Sequence, residues 1–411
     1  MKILWICNII LPAIAKHLNL PVPNGGGWLT GLSCDLLQTE EIDLSICFPN
    51  KNRFSGNVDG LNYYSFDSDS ASEDITGILE KVKPDIIHIF GTEQKHSYDA
   101  VNACVKLNLT DKVVINIQGM VSIYASHFMA NMPYSSLSKR SFRDFIKGDS
   151  IKKSRDNFIK RGKYEIEAIK KVHHIIGRTD WDYACTNQIN PDAKYHFCNE
   201  TLRGSFYENK WSLENCKKHT IFVSQCNYPI KGFHMLLEAM PLILKFFPDA
   251  KIYTTGRNLL TQTDLKSKLG LTYYEIYLIK LIKKLGLEEH VVFMGGLNEE
   301  KMCKAFLDSH VFVSPSSIEN SPNSVGEAMI LGVPTISSDV GGVKNMLTHG
   351  VEGFVYQFDA PYMLAHYVCE IFRNDDLAKT FSQNARQHAA STHNRSENLK
   401  TVLEIYREIG G

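Results

Sequence analysis

Residues 317–332 read SIENSPNSVGEAMILG and set two carboxylates, Glu319 and Glu327, around a short polar segment that contains Pro322. A carboxylate can accept hydrogen bonds from two hydroxyls at once, so paired acids suit a polyhydroxylated ligand. A local alternative exists, because Ser324-Val325-Gly326-Glu327 fits the helix-start pattern in which Ser caps the backbone and Glu reaches back from three residues on. Pro322 disfavours one continuous helix from 319 to 327. Glu319 is therefore expected on a loop and Glu327 in the first turns of a helix, whose N-terminus favours an anion.

Three further features lie in order around these acids. Lys231-Gly232 follows the apolar run TIFVSQC and opens FHMLLEAMPLILKFF. A lysine beside a helix start can meet a phosphate with its charge and with the helix's free N–H groups; a solvated loop lysine is the plain alternative. Gly295-Gly296 ends HVVFMGG, with Leu297 after it, and Gly341-Gly342 follows VPTISSDV. Each pair allows a close backbone approach to a base or phosphate, and each is equally explained by a tight turn.

The elements that must position these residues are short apolar runs alternating with longer amphipathic segments. In the first half they are KILWICN, IDLSICF, DIIHIF, KVVINIQ and HHIIGR; in the second, TIFVSQC, AKIYTTG, HVVFMGG, HVFVSP and VPTISS. Such alternation predicts parallel sheets with right-handed crossovers. At 411 residues the chain exceeds one core, and the polar stretch RGSFYENKWSLENCKK, residues 203–218, marks the break. Two doubly wound α/β domains are expected, 1–205 and 206–391, with residues of about 392–411 returning to complete the first. Ligands then belong beyond the carboxyl ends of the strands, in a cleft between the domains. The segment FDSDSASED, residues 66–74, reads as a polar loop.

Lys plus Arg and Asp plus Glu are equal at 45 each, so no overall charge bias points to nucleic acid. The ten cysteines are scattered without a CxxC pair, which fits reduced thiols in a cytoplasmic protein. The start MKILWICNIILPAIA resembles a signal peptide, but its strand-like KILWICN ahead of a glycine cluster is expected to be retained as a first buried strand. No run of about 20 apolar residues offers a membrane span.

The ordered string Lys231-Gly232, Glu319-x7-Glu327 running into AMILGVP, SSDVGG and GVEGF resembles the retaining nucleotide-sugar glycosyltransferases of family 4. The likeness is strong over residues 219–357 and looser in the first half, where NGGGWLTGL, residues 24–32, occupies the place of the family's glycine loop. The resemblance implies the GT-B fold of two facing Rossmann-like domains, with a nucleotide-diphosphate sugar, UDP-sugar by family habit, as co-substrate and no metal cofactor. Glu319 would hold the donor sugar and Glu327 the ribose. The N–H groups of the loop around Pro322, Asn323 and Ser324 would contact sugar and phosphate, Lys231 would bind the departing diphosphate, and Gly26 and Gly27 would touch it from the other domain. Gly295 and Leu297 join the donor-binding set.

The sequence departs from the family at three places. Where many relatives carry a second diphosphate arginine, this chain has Gln225, Cys226 and Asn227; Arg178, Arg203 and Arg257 are the candidate replacements, each near an expected strand end. Gln118 stands where many relatives have His, which suggests a sugar contact and no side-chain base. The usual Asn-Gly turn reads CNETLR, which could turn Glu200 or Arg203 toward the ligand. Asp67-x-Asp69 and Asp180-x-Asp182 match the DxD metal motif of another glycosyltransferase class, but the second reads as a helix-start pair.

Lys139 to Lys171 contains twelve Lys or Arg against five Asp or Glu, with Phe142, Phe145, Phe158 and Tyr164 interleaved. Such a surface suits anionic headgroups or a lipid-linked acceptor; a solvated helix with one core face is the alternative. His127 lies in an expected loop and is a candidate acceptor contact. The expectation is a metal-independent retaining transferase acting on a glycan or lipid-linked hydroxyl in cell-surface polysaccharide or glycolipid biosynthesis, cytoplasmic or peripheral on the inner membrane face. A sugar-nucleotide epimerase on the same architecture and a non-enzymatic sugar-nucleotide-binding module are the rivals.

Overall fold

The computed structural model describes residues 1–411 other than 24, 25, 40 and 263, and the side chain of 265. Residues 24 and 25 of the glycine loop thus lie outside the described residues. The chain forms two compact units, one of residues 1–123, 159–203 and 392–411, the other of 124–158 and 204–391. Residues 124–158, expected in the first domain, pack with the second unit, because buried polar groups of that unit find their partners on this segment.

The first unit holds β1 (Lys2–Ile6), β2 (Asp43–Pro49), β3 (Ser55–Val58), β4 (Leu61–Phe66), β5 (Ile86–Phe90), β6 (Val113–Asn116), β7 (His174–Gly177) and β8 (Lys194–Phe197) in the order β3-β4-β2-β1-β5-β6-β7-β8. All pairs are parallel except β3 with β4. Leu4, Ile6, Ile87, Ile89, Val113 and Ile115 build the core on one face, and Ile3, Trp5, Ile46, Phe48 and Ile86 on the other. Burial on both faces is why these strands read as continuous apolar runs. The helix Arg395–Gly410 closes the second core: Tyr406 is fully buried, accepts from Trp5 Nε1 at 2.9 Å, and its hydroxyl meets His88 Nδ1 at 2.6 Å.

The second unit holds β9 (Lys217–Val223), β10 (Lys251–Thr254), β11 (Val291–Phe293), β12 (Ser309–Ser314), β13 (Thr335–Ser338) and β14 (Gly353–Tyr356), all parallel, in the order β11-β10-β9-β12-β13-β14. This is the doubly wound order with its switch point between β9 and β12. β3, β4, β8 and β14 were not expected from sequence. Three of them lie at or next to a sheet edge in the first unit and β14 closes the edge of the second, and edge strands carry weaker apolar signals. Residues 71–74 of the expected polar loop instead open the helix Ala71–Val82. There Asp74 accepts from the Asp67 N–H at 2.9 Å and pairs with Arg53.

Candidate functional site

The loop after β12 carries Glu319, and two glycines fix its path. Gly232 sits at φ +65° with a Cβ position only 1.7 Å from the Pro315 carbonyl oxygen. Gly341 sits at φ +52°, where a Cβ would lie 1.8 Å from the Glu319 carbonyl oxygen. That same oxygen accepts from the Gly342 N–H at 3.1 Å. The close approach made by Gly341-Gly342 is therefore to the loop that bears Glu319. Ser317 N–H donates to the Ile230 carbonyl at 2.7 Å, and Ser338 Oγ to the Ser316 carbonyl at 2.5 Å.

On this frame Lys231 Nζ lies 2.6 Å from Glu319 Oε1, which also accepts from Ser316 Oγ at 2.7 Å. The Lys231 side chain is 21% exposed and that of Glu319 10%. Burial works against the ammonium charge, but the Glu319 carboxylate and the Tyr228 hydroxyl more than offset it and hold Lys231 above its ordinary value. Lys231 is thus a fixed cation with three donors, one engaged by Glu319 and one by the Tyr228 hydroxyl.

The helix Asn323–Leu331 starts beside this pair with Pro322 as its N-cap residue and no side-chain cap. The Ser324 capping box is overturned: the helix begins two residues earlier than that cap requires, so Ser324 lies inside its first turn and cannot cap it. Glu327 is 7% exposed on the same helix. An uncapped helix start next to a lysine favours an anion through aligned N–H groups and charge together.

Beyond β10 and β11, Gly256 and Gly295 exchange N–H···O bonds of 3.0 Å, and the space beside Gly295, at φ +78°, is open. Leu297 is buried behind them. Arg257 is engaged elsewhere, its Nε donating to Glu275 Oε1 at 2.7 Å and its Nη2 to the Gly270 carbonyl at 3.1 Å, which binds it to the capping residue of the helix Tyr273–Leu285. Tyr124 Oη accepts from the Asn320 N–H at 2.9 Å, and Ser317 Oγ donates to the His127 carbonyl at 3.0 Å. His127, expected in a loop, is instead the last residue of the helix Val121–His127. Its carbonyl serves the Glu319 loop.

In the first unit, polar groups gather past the carboxyl ends of the strands. Gly26, at φ +76°, precedes the helix Gly27–Leu37; a Cβ there would lie 1.9 Å from Ile9 Cδ1, and one on Gly27 2.2 Å from Arg203 Cγ. The Gln118 amide N–H groups donate to Asn116 Oδ1 and Glu200 Oε1. Arg178 Nη1 pairs with Glu200 Oε2 at 3.1 Å, the two side chains being 4% and 7% exposed. Arg178 is thus committed to a buried ion pair. Asp180 opens the helix Asp180–Ile189, and Asp182 forms its capping box with Thr179, a backbone role for both.

Sequence reasoning missed Asn8, Glu93 and His96. Asn8 Nδ2 donates to Glu93 Oε2 at 3.3 Å, while Asn8 Oδ1 and His96 Nε2 are 2.7 Å apart. Burial pushes the Glu93 carboxyl up to about 7 and the His96 imidazole down to about 4. Their only signal was position, each lying a few residues past an apolar run.

The sequence profile described as glycosyl transferases group 1 matches residues 206–388. The putative glycosyltransferase YtcC of Bacillus subtilis is 27% identical over 215 residues, 51% of this chain and 50% of that protein. The phosphatidyl-myo-inositol mannosyltransferase of Mycobacterium leprae is 24% identical over 193 residues, 47% of each. The chain thus spans about half the length of the curated relatives it matches. Among solved structures, Anabaena Alr3699/HepE in complex with UDP-glucose covers 99% of this chain and 100% of its own at a TM-score of 0.70 and 14% identity. That likeness gives the fold, GT-B, with a Rossmann-like sheet in each unit. Among the described residues no helix is long and apolar enough to cross a membrane.

Proposed function

We propose that this protein is a retaining glycosyltransferase that moves a sugar from a nucleotide-diphosphate donor, a UDP-sugar by preference, to a hydroxyl of a glycan or lipid-linked acceptor. The observation that carries the reading is the Lys231–Glu319 pair at an uncapped helix start, inside the group 1 glycosyl transferase region. Glu319 accepts from donor-sugar hydroxyls and Glu327 from the ribose. Lys231 keeps one N–H on Glu319 and one on Tyr228 and turns the third to the diphosphate, whose charge grows as its bond to the sugar breaks. The helix start at Pro322, Asn323 and Ser324 shares that charge, so the chain meets it without a metal. Gly295 and Leu297 border the space for the base.

Lys231 is held protonated and Gln118 has no basic atom. The balanced step is therefore a front-face one: the acceptor oxygen bonds to the anomeric carbon on the side from which the phosphate oxygen leaves, and the acceptor's proton passes to that oxygen. The relatives support the choice of substrates, since one is named for phosphatidyl-myo-inositol and a structural neighbour holds UDP-glucose. The basic segment supports a site at the inner membrane face. Its Phe142, Phe145 and Ile146 are 56%, 70% and 64% exposed, beside Lys139, Arg140 and Lys147.

The test is incubation with UDP-glucose, UDP-N-acetylglucosamine and GDP-mannose in the presence of phosphatidylinositol vesicles or oligosaccharide acceptors, the product's anomeric configuration being read by NMR. A glycoside with the donor's configuration is expected. An inverted glycoside, an isomerised sugar nucleotide, or donor binding without turnover on any acceptor overturns the reading.

A further inference from the structure

We propose that His174, His196 and Glu408 form a binding site for a divalent transition metal of zinc-like chemistry, which fastens the helix Arg395–Gly410 to the outer strands of the first sheet. The register places Ile176 opposite His196 and His174 opposite Lys194. His174 and His196 are therefore diagonal neighbours on one face of the β7–β8 pair, since side chains alternate with a period of two. Glu408, near the end of the helix, reaches the same face, where it pairs with Lys194.

The geometry suits shared coordination. His174 Nδ1 and His196 Nε2 point at each other 3.0 Å apart, and one donor atom from each of the three residues lies within 4.8 Å of the others. Two nitrogens bound to one tetrahedral zinc at about 2.0–2.1 Å stand roughly 3.3 Å apart, so their separation already fits, and each ring has to turn its lone pair away from the other ring toward a shared point. Glu408 must move by about an ångström to bring an oxygen within zinc-binding distance, which its 44% exposed side chain allows. Its Oε1 is engaged by Lys194, and a carboxylate has a second oxygen to give. Imidazole and carboxylate donors are the ligand set of zinc and its neighbours. Three protein donors leave a fourth position for water. The competing arrangement is a simple N–H···N bond between the two rings, and the neighbouring Lys194 ammonium opposes a second cation, so affinity is limited by that repulsion.

The experiment is calorimetric titration of chelator-treated full-length protein with Zn2+, and with Co2+ followed by its visible absorption, in a Cys34→Ser background because Cys34 is the exposed thiol. One equivalent is expected to bind. His174→Gln and Glu408→Gln should each weaken binding at least tenfold while leaving the metal-free melting temperature near the parent's, and Lys194→Met should tighten it. Absence of a one-to-one site, or equal affinity in the parent and both Gln variants, overturns the proposal. Glu408 is exposed, so its variant remains informative even if a histidine variant folds poorly.

Discussion

The two units present polar groups at the same place in the same kind of sheet but hold them in different electrostatic states. In the second unit the centre is a lysine whose charge is secured by Glu319 and Tyr228, on a loop clamped by glycines and backbone hydrogen bonds. In the first unit Gln118, Glu200 and Arg178 are held through side chains, and nearby Glu93 changes charge close to neutral pH. A group that must steady a leaving diphosphate needs a charge that does not titrate. A surface that receives a hydroxyl can tolerate one that does. Under the proposed function, the contrast puts charge stabilisation in the second unit and orientation of the acceptor in the first.

The strongest way to break this contrast is Lys231→Ala. Loss of a preorganised cation should lower turnover by about 10²–10³-fold, or ~3–4 kcal/mol, with Glu319→Gln losing well over tenfold. Near-parental steady-state rates in both would remove the second unit's assigned role. Next in size is Arg178→Ala, which strands the buried Glu200 carboxylate and should cost about 3 kcal/mol of stability in denaturant unfolding. Arg178→Ala combined with Glu200→Gln should recover part of that loss; equal losses in single and double variants would show that the pair is not coupled.

A third test concerns Glu93. Its folded pKa, about 7, lies above the ordinary 4.5, so the unfolded chain releases this proton first. Stability should fall as pH rises from 4.5 to 7 and then level off, by up to about 3 kcal/mol and by less where water reaches the half-buried side chain. Glu93→Gln should flatten that slope, and an identical pH profile in the variant would dissociate Glu93 from it. The smallest effect is Gly341→Ala, whose Cβ meets the Glu319 carbonyl oxygen. It should cost about 1–2 kcal/mol of stability and weaken UDP-sugar binding roughly tenfold, read by thermal shift and calorimetry.

The donor loop was legible in sequence because its determinants are local. Pro322 breaks the chain between Glu319 and Glu327, and Lys231-Gly232 follows its strand directly. Even there one reading failed, since Ser324 lies inside a helix that starts at Asn323. The first unit was less legible because its polar groups are defined by partners far apart in the chain. Arg178 is an arginine at a strand end in sequence, but its meaning depends on Glu200; Arg257 depends likewise on Glu275. Asn8, Glu93 and His96 form no motif at all. The same holds for residues 124–158, whose sequence gives no sign that Tyr124, His127 and Ala130 serve groups at 320, 317 and 234.

The interleaving of the two units has a consequence for how the protein is made. A ribosome completes residues 1–123 and 159–203 early, yet Trp5 and His88 must wait for Tyr406 until the whole second unit has emerged. Residues 124–158 are likewise translated before the body they pack against. Neither unit is one continuous stretch of synthesis, and a fragment cut to residues 206–388 would leave the buried His234 without its Ala130 acceptor.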